Sequence, residues 1–462
     1  MTTLAKEGLE AQIHDERDLI AYLASGARAP EHWGIGAEAE KLVIDAETGE
    51  AAPFDRIEEL LLRVEGQGGW RGIREEGRLI ALQGPRSSIT LEPGGQLELS
   101  GELCPHLHCC HGDLTRHLRA VTGEAAALGL AFLGLGVQPF TPLSEIAWVP
   151  KARYGIMGPY MLRTGDLGQA MMKQTAGLQV NVDFSDEADW LAKLRTSLLL
   201  APVLYALFAN SPLLEGRPSG FLSTRGEIWS RTDRARTGLL PALFAEGAGY
   251  AGYVDYALDV PMYFIRREGR YLDLTASPLP FRRYLREGWR GWRATLGDWD
   301  LHLSTIFTEV RLRPQIELRS ADSLPPRHTL AVAALIKGLL YDQTSLEAAG
   351  ALLHREVYPQ LARIFADSWR LGLQTPTAER SLRELSFDLL VLAREGLGRR
   401  RVADHRGLDE TLYLEGLDEL VASGETLAQR LLARWRGSRR EKVRLLLEHC
   451  GFGDGTEKRF SA

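Results

Sequence analysis

Cysteine is scarce in this chain: four residues in 462, three of them crowded at positions 104, 109 and 110. So small and clustered a set cannot build the disulfide framework of a secreted domain, and a reduced, cytoplasmic setting is expected. Long apolar runs are missing as well. Ala125 to Val137 and Leu198 to Ala209 are the longest, and both fall short of the roughly 20 residues that cross a bilayer. Up to Asp18 the chain carries Lys6, Glu7, Glu10, Asp15, Glu16 and Arg17, which leaves no apolar core for a signal peptide. Nor is there an excess of one charge. With 55 Lys and Arg against 61 Asp and Glu the net is −6, so no general field draws this surface to nucleic acid or to a membrane.

The standard nucleotide and hydrolase motifs are also absent: there is no G-x-x-x-x-G-K-[ST] loop, no G-x-S-x-G elbow and no H-E-x-x-H. GIGAEA (34–39) matches G-x-G-x-x-A, but a lone match is weak, and Glu38 and Glu40 would meet the pyrophosphate that this motif is meant to cradle. Any nucleotide phosphate must therefore be held by metal and arginine. CPHLHCCH (104–111) offers three thiols and three imidazoles, yet no second ligand pair exists elsewhere to complete a zinc site. A helix start with incidental thiols is the expected reading.

What the chain does have is alternation. In AEAEKLVI (37–44) Glu38 and Glu40 face one way and Ala37 and Ala39 the other. In ITLEPGGQLELS (89–100) Glu92 precedes a Pro93-Gly94-Gly95 turn, after which Leu97 and Leu99 alternate with Glu98 and Ser100. LQVNVDFS (178–185) sets Gln179, Asn181 and Asp183 opposite an apolar row, and QIELRS (315–320) alternates Glu317 and Arg319 with Ile316 and Leu318. Each segment has one apolar and one polar face, so the pattern predicts an α+β fold: a mainly antiparallel sheet covered by helices on one side, with a polar face on the other. That face would gather Glu38, Glu40, Glu92, Glu98 and Glu317, whose charges repel and call for counter-charge. All-oxygen ligands select magnesium or manganese, which complete their shells with water and phosphate. Arg153, Arg225, Arg236 and Arg319 sit in segments where each could clamp a carboxylate or phosphate bidentately.

From about Thr344 the period changes. LRELSFDLLVLAREGL (382–397) and GETLAQRLLARW (424–435) space leucines three and four apart, so a catalytic unit over 1–342 and a helical region over 343–462, packed on it as one integrated unit, are expected.

At LEPGGQLELSG (91–101), QVNVDFS (179–185), FANSP (208–212), IWSRTDRARTG (228–238), YVDYALDVPMYF (253–264), HLSTIFTEVRLR (302–313) and GLLYD (338–342) the sequence closely resembles the plant-type glutamate–cysteine ligase family. The match keeps one order from about Gly34 to about Leu432. It implies a curved sheet like that of glutamine synthetase, and a ligase that joins L-glutamate to the amine of L-cysteine with ATP and Mg2+ or Mn2+, as the first step of glutathione-type thiol synthesis. A monomer or homodimer is expected. By the resemblance Glu38, Glu40, Glu92, Glu98, Glu317 and Gln179 match metal-binding positions. Arg153, Arg225, Tyr263, Asn181 and Trp229 would hold substrate, and Arg319, with Arg153 and Arg225, would serve the phosphoryl transfer.

The chain departs from the family in places. Ala37 and Ala39 replace threonine and histidine, Gly158 and Pro159 replace an Arg-Asn pair, and SLPPRH (323–328) replaces a glycine- and tryptophan-rich stretch. These changes lie near expected substrate walls, so a sister γ-glutamyl ligase with another acceptor amine is the alternative. Leu274, His111 and Leu330 stand where plant members carry regulatory cysteines, so the plant redox switch is not transferred.

Overall fold

The computed structural model describes residues 8–453; Lys6, Glu7 and the outer ends of both expected units lie outside them. Ten strands form one sheet: β1 (Ile35–Asp45), β2 (Arg71–Glu75), β3 (Arg78–Gln83), β4 (Ser88–Leu91), β5 (Leu97–Ser100), β6 (Leu130–Leu133), β7 (Gly177–Val182), β8 (Val310–Leu312), β9 (Ile316–Asp322) and β10 (Gly451–Phe452). The main path runs β8-β9-β7-β1-β5-β4-β3-β2, with β6 and β10 beside the far end of β1. Every pairing within it is antiparallel.

The alternation in the sequence decides which face is buried. Ile35, Ala39 and Val43 of β1 point into the main core, as do Leu178 and Val180 of β7 and Ile316 and Leu318 of β9. The helices Leu107–Ala127, Glu187–Leu207 and Pro326–Leu340 pack against this side. Helix Glu187–Leu207 is long and apolar enough to cross a membrane, although its apolar stretch is broken into shorter runs in the sequence; 83% of its most apolar 18-residue window is buried within the fold.

The opposite face is acidic along only half of β1. Past Glu40 it turns apolar, and Leu42 and Ile44 are covered by Leu431, Val443 and Leu446 from helices Leu427–Arg434 and Arg439–Cys450. The C-terminal strand β10 then pairs with β6. The last helices thus close one end of the polar face and leave the acids at the other.

Around the CPHLHCCH segment a helix does begin. Leu107–Ala127 starts with His106 as its cap, whose Nδ1 accepts the Cys109 amide at 3.1 Å. The thiols are not incidental, since Cys104 and Cys109 form a disulfide. Antiparallel pairing between Cys104 and Ile35 ties the segment to β1 and brings the first turn of the helix under it, a contact that spacing alone does not reveal.

Candidate active site

Register places the polar side chains. Glu40 lies opposite Glu98, Glu38 lies between Ser100 and Gln179, and Asn181 lies between Gly36 and Glu317. In-register neighbours on adjacent strands share a face and stand about 5 Å apart, so four strands deliver these groups to one patch. Glu92 reaches the same place from the turn after β4. There the Glu92 carbonyl accepts the Gly95 amide at 2.9 Å, and Gln96 accepts the Gly94 amide at 2.9 Å. Gly95 takes φ +86°, and a Cβ on Gly94 would lie 2.1 Å from the Lys173 carbonyl, so this turn needs both glycines.

Glu38, Glu40, Glu92 and Glu98 line a single cavity with Gln179, Lys151, Arg153, Arg225, Arg311 and Arg319. Burial, then Glu317 and Glu98, push the Glu38 carboxyl up to about 7. Burial, then Glu92 and Glu98, do the same to Glu40, also to about 7, against the opposing hydrogen bond from Gln179. Glu92 is raised by burial and by Glu98. Glu98 runs the other way, held below its ordinary value against burial by the Ser100 hydroxyl, Glu92 and Lys151. Three carboxyls pushed up around a fourth that keeps its charge fit a divalent cation by donor type and by electrostatics. Three of the four are also aimed: Glu40 accepts the Gly177 backbone amide at 2.6 Å and the Gln179 side-chain amide at 2.9 Å, Glu38 accepts Asn181 Nδ2 at 3.1 Å, and Glu98 accepts the Ser100 hydroxyl.

The positive side of the cavity is built around Trp229. The guanidiniums of Arg225 and Arg319 each lie 5.6 Å from its ring. Arg225 is 2% exposed and donates Nη2 to the Arg319 carbonyl at 2.8 Å, while its Nε and Nη1 have no partner among the described residues. A buried guanidinium with two unused donors asks for an anion.

Glu317 is placed differently from the other acids. Arg311 grips both its oxygens, at 2.6 and 2.8 Å, and Arg319 pairs with it from the other side. These two cations pull its carboxyl down to about 2 against burial. It stands next to the cavity as the counter-ion that aims Arg319 and is absent from the lining. Tyr263 departs further from expectation. Its ring is buried under the Arg236 guanidinium at 4.0 Å and its hydroxyl points at Met161 Sδ, so it lies behind the wall. Arg236 is no clamp either: fully buried, it is spent on Asp233 at 2.7 Å and on the Pro261 carbonyl at 2.6 Å.

Two contributors carry no sequence signal strong enough to single them out. Lys151 donates to the Leu91 carbonyl at 2.6 Å and holds an ammonium near Glu92, its pKa lowered by burial. Arg311 belongs to a strand of three residues, too short to show alternation.

The fold is that of a ligase. It is similar to the crystal structure of glutamate–cysteine ligase from Francisella tularensis in complex with AMP, with a TM-score of 0.54 and 13% identity over 93% of this chain and 89% of that one. The chain belongs to glutamate–cysteine ligase family 2, whose profile matches residues 34–449. Its relatives include the chloroplastic glutamate–cysteine ligases of Brassica juncea and Arabidopsis thaliana, each 42% identical over 91% of this chain and covering 81% and 80% of those proteins. Glutamate–cysteine ligase B of Oryza sativa subsp. japonica, also chloroplastic, is 40% identical over 92% of this chain and 85% of its own length. These chloroplastic relatives overturn the cytoplasmic expectation, which had rested on cysteine count, apolar run length and N-terminal charge.

Proposed function

We propose that this protein joins the γ-carboxylate of L-glutamate to the amine of L-cysteine at the expense of ATP. A γ-carboxylate oxygen attacks the terminal phosphorus and ADP departs. The amine then attacks the acyl carbon, phosphate leaves with the bonding pair, and the nitrogen loses a proton. The products are γ-glutamylcysteine, ADP and phosphate. The observation that carries this reading is the meeting of four carboxylates and the guanidiniums of Arg153, Arg225 and Arg319 in one cavity.

Each group has a role. Glu38, Glu40, Glu92 and Glu98, with Gln179 beside them, would hold Mg2+, which when bound supplies positive charge against phosphate oxygens. Arg225 takes the α-carboxylate of glutamate on its two unused donors. Arg319, steadied by Glu317 and by the Trp229 face, meets the transferring phosphoryl group as its charge spreads. Asn181 fixes Glu38, and Arg153 flanks the cavity mouth. Residues 343–462 act as one unit with 1–342, because their helices cover the far half of β1.

The test is a product assay. Purified protein with Mg-ATP, L-glutamate and a panel of amines should release phosphate and form amide with kcat/KM at least tenfold higher for L-cysteine than for any other amine. A different preferred amine would make this a sister γ-glutamyl ligase, and no amide with any amine would end the proposal.

A further inference from the structure

Strict alternation along QIELRS and on through Ala321 and Asp322 would keep Glu317, Arg319 and Ala321 on the polar face of β9 and turn Asp322 into the core. A bulge reverses this. Leu318 and Ala321 pair with Val180 and Leu178 of β7, so three steps on one strand meet two on the other. Beyond the extra residue Ala321 packs in the core, and Asp322 comes opposite Gly177 on the polar side. Gly177 carries no side chain, and the space that a Cβ there would take is filled by the Arg225 guanidinium. The register thus brings Asp322 to the side of the sheet where Arg225 lies, although Asp322 is 1% exposed and does not line the cavity itself.

Both oxygens of this buried carboxylate are used. Oδ2 accepts the Ser211 hydroxyl at 2.7 Å and the Asn210 amide at 2.8 Å, and Oδ1 accepts the Ser223 hydroxyl at 2.8 Å. Each hydroxyl in turn accepts a backbone amide from the first turn of the short helix Thr224–Ser230: Ser211 Oγ takes that of Arg225 and Ser223 Oγ that of Gly226, both at 3.2 Å. The Thr224 amide donates to the Ser211 carbonyl at 3.0 Å. A serine hydroxyl can turn its hydrogen in several directions, whereas an ionised carboxylate only accepts; it draws both hydrogens to itself and leaves the serine lone pairs to the two amides. Burial raises the Asp322 carboxyl, and Arg225 comes first among the groups that oppose the rise, ahead of the Asn210 amide and the two hydroxyls.

We propose that Asp322 is a positioning residue for the glutamate site: through the Ser211 and Ser223 hydroxyls it fixes the first turn of helix Thr224–Ser230, and with it the reach and angle of Arg225 toward the substrate α-carboxylate. The proposal rests on the role given to Arg225 above and adds what aims that group. Among the described residues the guanidinium makes one hydrogen bond of its own, to the Arg319 carbonyl, and its Nε and Nη1 are left for the ligand. Its direction must therefore come largely from its backbone, which is where the Asp322 relay acts. A two-pronged grip on a carboxylate weakens steeply when its hydrogen bonds are misaligned, so a small shift of this turn falls on glutamate first.

The experiment measures kcat and KM for L-glutamate, L-cysteine and ATP in full-length Asp322→Asn, Ser211→Ala and Arg225→Lys, and in the double variant that joins Asp322→Asn to Arg225→Lys. Asparagine keeps the shape of the side chain but presents N–H where a hydroxyl or an amide needs an acceptor. Asp322→Asn should raise KM for glutamate about tenfold, with kcat and the other two KM values within about twofold. Ser211→Ala removes only the Arg225 arm of the relay and should raise KM for glutamate about threefold; it carries the test if Asp322→Asn fails to fold. On the Arg225→Lys background, where no fork remains to be aimed, Asp322→Asn should add less than about twofold. Unchanged KM for glutamate in Asp322→Asn and Ser211→Ala would overturn the proposal. So would equal rises in all three KM values, or an undiminished rise on the Arg225→Lys background, either of which would make Asp322 a residue of the fold alone. Failure of the α-carboxylate role looks different: Arg225→Lys by itself would leave KM for glutamate unchanged.

Discussion

At Glu98 the requirements of folding and chemistry conflict. The residue is 3% exposed, faces Glu40 directly across the ladder, and raises the proton affinity of Glu38, Glu40 and Glu92. Against burial, the Ser100 hydroxyl, Glu92 and Lys151 hold its own carboxyl below the ordinary value, so it keeps its charge and loads its neighbours; a neutral side chain of the same shape would remove that repulsion. Glu98→Gln should therefore reduce kcat by at least a hundredfold at saturating Mg-ATP, while the thermal midpoint measured without divalent cation stays the same or rises. Steady-state kinetics and a thermal scan in chelator read both effects. Normal turnover with a lowered midpoint would make Glu98 a structural residue and remove it from the site. This acid was legible in the sequence because it sits at the polar beat of an alternating strand next to a turn. Arg311 and Lys151 were not, since an arginine in a short strand and a lysine before a helix look like any surface cation until the register is known. Tyr263 and Arg236 show the converse error, in which polar tips on residues in promising motifs serve the core.

At the level of single elements, β7 shows how closely the sheet and the cations fit. Gly177 opens this strand, donates its amide to Glu40, and gives Arg225 its room: a Cβ there would lie 2.7 Å from Nη2 and 2.9 Å from Cζ of that guanidinium. The obstructed atoms belong to the far end of a flexible side chain, so the chain can yield, but only by moving the group that takes the α-carboxylate. Gly177→Ala should raise KM for glutamate about tenfold with little change in KM for ATP and a thermal midpoint within about 3 °C of wild type. Equal rises in both KM values would show a general distortion of β7 instead. The strands themselves were readable wherever one face is buried and the other polar, as in β1, β4, β5, β7 and β9. The structure adds β2 and β3, where RGIRE and RLIALQ do not alternate cleanly, and β10, two residues long. The Cys104–Cys109 bond was hidden for a related reason, because it depends on Cys104 pairing with Ile35 far away in sequence.

Over the whole molecule, the feature that sets its response to acid is a set of buried imidazoles. Burial holds His302 down to about 3 and His328 and His449 to about 4, and pushes His117 well below its ordinary value. A histidine that stays neutral in the folded state but charges in the unfolded chain favours unfolding once pH falls below about 6.5, until the folded-state value is reached. The compressed carboxylates run the other way: with Glu38 and Glu40 raised to about 7, the folded chain takes up protons before the unfolded one does, which adds stability as pH falls from about 7 toward about 4.5. Between about 6.5 and 4.5 the two trends oppose, so the wild-type curve alone separates neither. The histidine part is isolated by difference. His302 is packed against Phe281 and Trp299, with its Nε2 donating to the Ala257 carbonyl at 2.8 Å, so His302→Leu incurs a fixed loss from that carbonyl at every pH. Below pH 6.5, however, only the wild type pays for withholding a proton. Urea unfolding at pH 8, 6, 5 and 4 should show the gap between variant and wild type shrinking by about 1.4 kcal/mol per pH unit below 6.5, the slope of one withheld proton. A gap that is constant across this range would mean that His302 takes up its proton in the folded protein, and that the core around Trp299 admits water or charge that the packing here does not allow.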